Sequence, residues 1–332
     1  MDQLSAHLDR GWDLASRGDF EGAWTSAQKI LELDARSAEA HNLLGYIRAA
    51  QGEAEDALEY YRQAIDLDDG LVEAKLNAAE VLIHPLHHFD EAIDLADDAL
   101  DVARESDEIA EAMLLKIDAL LHRGDLEGAA RVAMRLPIGP FENIRLGFMV
   151  GRAKFEVGDI EAAEPLLRAA LEREQGNGDV HYQWALLLRA QDKIAEARAA
   201  LLAAREIDQR SQAFEWALSS EQFRARTQAA IARLSDDHRA MLAAASVIVS
   251  DLPGAEVVAE GVDPRIGVLL EGPSDAGRDG GPVERVFIYQ RNIERSAQGG
   301  TQIEEEIIEC LEHELTTLAN DVLKSAEVTP LG

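Results

Sequence analysis

Cysteine is nearly absent: Cys310 is the only one in 332 residues. A lone thiol excludes an intrachain disulfide and suits a reducing, cytoplasmic setting. Positive charge is scarce as well. Thirty-two Lys and Arg face 63 Asp and Glu, giving a formal net charge of -31 and a pI near 4.5. Such a field repels nucleic-acid backbones and anionic membrane surfaces, and it favours basic partners. The same acidity also serves plain solubility. No apolar run approaches the ~20 residues needed to span a bilayer. The start, Met1-Asp2-Gln3-Leu4-Ser5, has no basic region followed by an apolar stretch, so no secretory signal is expected. What remains is a chain with 47% hydrophobic residues, long enough for two domains.

What is present is repetition. Gly11 and Gly45 are 34 residues apart, as are Gly18 and Gly52, Ala23 and Ala57, and Leu33 and Leu67. Gly124 and Gly158 keep the spacing, and so do Ala129, Ala163 and Ala197. The third unit carries one extra residue, placed near His84-Pro85 by the 35-residue steps from Ala57 to Ala92 and from Ala64 to Ala99. Six units are counted, the fourth displaced by the stretch around Glu105-Ser106-Asp107. A period of 34 with small residues at fixed places resembles the tetratricopeptide repeat. The pattern has a mechanical reason. Each repeat is two antiparallel helices, and neither buries its apolar face alone. Small residues on helix A (Gly11, Gly45, Ala79, Gly151, Ala185) and at the start of helix B (Ala23, Ala57, Ala92, Ala129, Ala163, Ala197) let the helices approach closely. Bulky Leu44, Tyr61, Leu67, Leu95, Leu167, Leu171 and Leu201 fill the spaces between them. Gly-Asp and Gly-Glu pairs mark the turns, where glycine accepts a left-handed backbone.

The resemblance implies peptide binding on the concave face lined by the A helices. Its groove positions select Asp9, Trp12, Asn42, Tyr46, Glu73, Asn77, Glu80, Glu111 and Asp118, then His122, Arg152, Gln183 and Arg189. The early groove is acidic with two aromatics. It lacks the basic residues of the carboxylate clamp found in this family, so the expected partner is a basic or neutral protein segment. The alternative is that these acids form a solvated face. Three histidines within five residues, His84, His87 and His88, raise the question of a metal site. They fall at an inter-helix turn stopped by Pro85, without acidic or cysteine ligands at a matching spacing, so exposed turn histidines are expected.

The 34-residue pattern stops after Asp208, and Ser211 to Leu218 reads as a further helix or a connector, able to cap the end of the array. Beyond it the texture changes. Helices are expected over Phe223–Leu234 and from Ser235 to Leu242. Strands are expected at Ala245–Asp251 and Val283–Tyr289, and more weakly at Val257-Val258 and Ile266–Leu270. Gly272 to Pro282 reads as a loop. A closing helix runs from about Ile303 to Leu323 with an apolar stripe of Ile307, Leu311, Leu315, Leu318 and Val322. This order, with Val283-to-Arg295 (VERVFIYQRNIER) followed by Leu311-Glu312-His313-Glu314-Leu315, resembles the minimal zincin-like metallopeptidase domains of bacteria. In that family two histidines four apart on one helix hold zinc, and the intervening glutamate polarises the bound water. Carried over, His313 matches the first ligand, Glu314 the general base, and Arg291 and Arg295 the family's basic pair. Thr317 stands where the second histidine belongs, and no third ligand is placed; Asp321 is near but out of register. A Glu309–His313 pair with Cys310 is a conceivable substitute.

The expected architecture is mainly α: a superhelical tetratricopeptide solenoid over residues 1–213, then a small α+β zincin-like domain over 214–332. The expected function is that of an adaptor or scaffold holding a partner segment in an acidic groove, with an inactive peptidase-like second domain and no cofactor. The alternative is an active zinc metallopeptidase whose repeats recruit substrate. Self-association through the array is a third reading, and the oligomeric state is left open.

Overall fold

A computed structural model describes residues 3–272, 283–297 and 299–327, with side chains to residue 320. The expected loop over residues 273–282, and the side chains of Asp321 and Val322, lie outside the described residues. Two compact units divide the chain at Arg173 and Glu174.

Residues 1–173 hold five antiparallel helix pairs: α1 (Gln3–Ser16) with α2 (Phe20–Leu33), α3 (Ala38–Ala50) with α4 (Ala54–Leu67), α5 (Val72–Ile83) with α6 (Phe89–Val102), α7 (Ser106–His122) with α8 (Leu126–Met134), and α9 (Ile144–Glu156) with α10 (Ile160–Arg173). Asp19, Asp125 and Asn143 cap helices with side-chain oxygens that accept from free backbone N–H groups in the first turn. The residues at the small positions are buried as the repeat requires, with Ala23, Ala57, Ala79 and Ala163 at 0% exposure. The inter-helix turns share one device. Gly18, Gly52, Gly124 and Gly158 have φ near +80°, and in the third turn His87 takes the same left-handed place at φ 57°.

Residues 174–332 contain the sixth pair, α11 (Gly178–Ala190) and α12 (Ile194–Arg210), whose turn uses Asp192 at φ 60°. Residues 211–219 then form a connector without helix. Its Trp216 and Leu218 pack into the core of the residues that follow. Next come α13 (Ser220–Arg233), α14 (Asp236–Leu242), strand β1 (Ser246–Ser250), α15 (Ala255–Ala259), β2 (Val268–Glu271), β3 (Arg285–Tyr289), α16 (Gln290–Ser296) and α17 (Ile303–Glu327). The strands form a mixed sheet in the order β1-β3-β2, with β1 parallel and β2 antiparallel to β3. Ile307, Leu311 and Leu315 of α17 are fully buried against this sheet and α13, in a core shared with Phe223, Val286 and Ile288.

One strand expectation is corrected. Val257-Val258 belongs to α15, a short helix started by Gly254. Two β-branched residues after Pro253-Gly254 are too few to hold a strand, and Val258 is buried instead in a cluster with Leu188, Ala197 and Leu201 of the sixth repeat. No helix among the described residues is long and apolar enough to cross a membrane.

Candidate functional site

Five of the expected groove residues meet. Trp12, Tyr46, Glu73, Asn77 and Glu111, with Leu76, line one open hollow of about 380 Å³ in the first unit. The A helices α1, α3, α5 and α7 supply them. Trp12 and Tyr46 meet edge to face with centroids 5.2 Å apart, the arrangement that aligns the positive edge of one ring with the negative face of the other. Asn42 is buried behind them, and its Oδ1 accepts a 3.0 Å bond from Nδ2 of Asn77, which fixes the amide facing the hollow. Glu111 is solvent-accessible, yet the wall around it removes enough water to push its carboxyl above the usual range. The like charges of Glu80, Glu73 and Asp107 push it the same way. A cation placed there relieves that repulsion. Asp9 is exposed on α1 and is not among the residues lining the hollow.

Asp118 is drawn elsewhere. His84, His87 and His88 are exposed at the turn, as expected, but the expectation that they lack a matching acidic ligand is corrected at His84. His84 caps the end of α5, and its Nε2 lies 3.1 Å from Oδ2 of Asp118. Nε2 of His122, one turn further along α7, lies 3.5 Å from Oδ1 of the same carboxylate. His84 therefore has a matched acidic partner, contributed by the next repeat. The ring of His122 is held by a parallel stack on Phe89, with centroids 5.4 Å apart and planes inclined by 7°.

In the second unit, Glu306, Glu309, Cys310, His313 and Glu314 of α17 line a hollow of about 350 Å³ with Ile266, Gly267 and Val268. Thr317 is exposed and is not part of that lining. Burial pushes the Cys310 thiol up to about 12, and the neighbouring Glu306, Glu309 and Glu314 add to the effect. Among the described residues, the only group of three ligand atoms lying mutually within 4.8 Å is not on α17; it is His84, Asp118 and His122.

The basic pair has a structural task. Nη1 of Arg291 donates to the carbonyl oxygens of Asp208, Gln209 and Ser211 at 2.8, 3.2 and 3.0 Å, satisfying the end of α12. Arg295 donates to Asp208 at 2.8 Å, and Arg265 binds the same carboxylate through Nε and Nη2 at 3.1 and 3.2 Å. Arg265 also lies over the ring of Tyr182, whose hydroxyl donates to Asp263 at 2.6 Å. Between them the alternate polar residues of α16 turn inward. Glu294 accepts from Leu218 N and Gln290 Nε2, and Asn292 donates to the carbonyls of Pro264 and Ile266. The run Gln290 to Arg295 is a joint between the sixth repeat and the sheet, which sequence spacing gave no means of seeing.

Residues 8–71 and 86–143 match one tetratricopeptide-repeat family model and residues 154–217 match a second. No curated protein matches the chain. Among solved structures, PilF of Pseudomonas aeruginosa is similar over 67% of this chain and 97% of its own, with a TM-score of 0.52 and 17% identity. YrrB, described as a TPR protein with an unusual peptide-binding site, covers 55% of this chain with 93% of its own, at a TM-score of 0.42 and 20% identity. TTC0263, a thermophilic TPR protein of Thermus thermophilus, covers 56% with 98% of its own, at 0.43 and 16%. At these identities the likeness is one of fold. The matched segments take in more than half of the residues and fall almost entirely within the array of helices α1 to α12, so this chain is a tetratricopeptide-repeat protein.

Proposed function

We propose that the protein is an interaction scaffold whose repeats hold an extended partner segment bearing Lys or Arg side chains. The observation that carries this is the hollow in which Trp12 and Tyr46 stand beside Glu73 and Glu111. Aromatic walls give contact area at low entropic cost, and paired carboxylates favour a cation over an anion. The test is fluorescence polarisation with two labelled random peptide pools, one enriched in Lys and Arg, the other in Asp and Glu. The basic pool is expected to bind, and to bind more weakly as salt rises. Trp12→Ala is expected to weaken it at least about tenfold, on the scale of an aromatic hot spot. Glu73→Gln with Glu111→Gln is expected to abolish the preference between pools. Equal binding of both pools by the unaltered protein, or variants without effect, would sink the proposal.

For the part of the chain from about residue 214 onward, our reading is a zincin-like frame that engages partners without cutting them. The resemblance in element order supports it, as does the exposed Thr317 at the position of the second ligand. The test follows α17 itself: Thr317→His is expected to create tight zinc binding that depends on His313. If Thr317→His gains no zinc that His313→Ala removes, the zincin-like reading of α17 fails.

A further inference from the structure

We infer that His84, Asp118 and His122 form a binding site for a divalent transition metal of the zinc type. Three observations carry it. The first is donor chemistry. Two imidazoles and a carboxylate suit Zn²⁺ and its neighbours, whereas Mg²⁺ and Ca²⁺ call for oxygen alone. Three protein ligands with a remaining position for water or a partner atom are a common zinc arrangement.

The second is distance. Ligand atoms about 2.05 Å from a tetrahedral metal stand about 3.3 Å from one another. The two histidine–carboxylate separations are 3.1 Å to Oδ2 and 3.5 Å to Oδ1 of Asp118, and a set of one ligand atom from each residue lies mutually within 4.8 Å. The side chains need only small rotations to admit an ion. They are also held in place. Asp118 and His122 are four apart on α7, so they share a face. The backbone of His84 is fixed at the end of α5, where its main-chain N–H donates to the carbonyl of Glu80. Phe89 stacks on the His122 ring.

The third is position. His84 follows Asn77 by seven residues on α5, and Asp118 follows Glu111 by seven on α7. Seven residues make nearly two full turns, so both steps keep the same helix face and advance about 10 Å along it. The site therefore lies on the same faces of α5 and α7 that supply the acidic hollow, displaced along them. The metal site stands independently of the peptide reading, because it needs no partner to be measured.

The experiment uses the full chain without a histidine tag, stripped with a chelator, then titrated with ZnCl₂ by calorimetry and with CoCl₂ by visible absorption. The unaltered protein is expected to take up about one equivalent with micromolar or tighter affinity, and cobalt is expected to show the intense absorption of a low-symmetry four-coordinate ion. His84→Ala, Asp118→Asn and His122→Ala are each expected to weaken binding at least about tenfold. His88→Ala, altering a histidine of the same turn outside the cluster, and His313→Ala on α17 are expected to leave it unchanged. All five positions are partly or fully exposed, and circular dichroism verifies that each variant is folded. The inference is overturned if the unaltered protein takes up no zinc at 100 µM, if His313→Ala abolishes uptake, or if His88→Ala costs as much as His84→Ala.

Discussion

Asp208→Ala is expected to destabilise the second unit by about 3–5 kcal/mol, the scale for removing one partner of a buried ion pair. The carboxylate is 6% exposed, and it receives Arg295 through one bond and Arg265 through two. Its removal leaves two guanidinium groups without their shared anion while Arg291 still holds the end of α12. Hydrogen exchange read by peptide separates the units: protection should fall in residues 174–210, 260–272 and 283–297 and persist in α1 to α10. Asp208→Asn keeps the shape and one acceptor, so it should cost less. The effect is also pH-dependent. Burial alone raises this carboxyl, but the bonds and charges of Arg295 and Arg265 outweigh it, so the folded-state pKa lies below the ordinary value. The stabilisation is therefore fully present above the unfolded-state value near 4 and fades as pH falls through the lowered folded one. The difference between wild type and Asp208→Ala should be constant from neutrality to about pH 5 and shrink in stronger acid. A difference that grows on acidification, or a loss of protection spread evenly over both units, would contradict this account.

The repeats were legible because one physical demand recurs every 34 residues: two helices must approach closely, and only small side chains allow it. The meeting of Trp12, Tyr46, Glu73, Asn77 and Glu111 in one hollow was legible for the same reason, and it holds a rule that predicts contacts. Helix A residues one repeat apart become neighbours when repeats stack. Trp12 meets Tyr46 across 34 residues, Asn42 bonds Asn77 across 35, and His84 meets Asp118 across 34. Applied to His84, that rule points to Asp118; reading His84 as part of a turn hid it. The joint around Asp208 follows no such rule. Asp208 lies 57 residues from Arg265 and 87 from Arg295. No periodicity links them, and buried charges are invisible in a chain where nearly a third of residues are charged. The basic pair was visible at Arg291 and Arg295, but its role was carried over from a resemblance, whereas its geometry is that of a helix-end clamp. Thr317 could be read only as the replacement of a ligand. Asp321, the nearest alternative, lies outside the residues whose side chains are described.

Tyr61→Ala is expected to cost about 3–5 kcal/mol, the cost of emptying a large, fully packed site. Tyr61 is 1% exposed, and burial pushes its hydroxyl upward, with Glu80 and Tyr46 near enough to add to the shift. Its ring lies directly against Gly45. A Cβ at Gly45 would stand 2.5 Å from Cε1 of Tyr61 and 2.6 Å from Cδ1, closer than real side chains approach. Gly45→Ala should therefore cost about 1–3 kcal/mol by overpacking, even though alanine favours the helix by about 1 kcal/mol over glycine. The two changes should not add. Once Tyr61→Ala has removed the ring, the nearest obstacle to the new methyl is the carbonyl of Ala57 at 3.1 Å, a tight contact relieved by a shift of a few tenths of an ångström. In that background Gly45→Ala is expected to cost clearly less than in the unaltered protein, giving a coupling of about 2 kcal/mol. Urea unfolding followed by circular dichroism measures all four corners of the cycle. An equal cost for Gly45→Ala with and without the ring would show that the small residue answers some demand other than the approach of α3 to α4. With the coupling as expected, the 34-residue spacing of glycine and the tyrosine sixteen residues after Gly45 are two halves of one packing constraint. That constraint fixes how far apart α3 and α4 stand, and so where Tyr46 meets the groove.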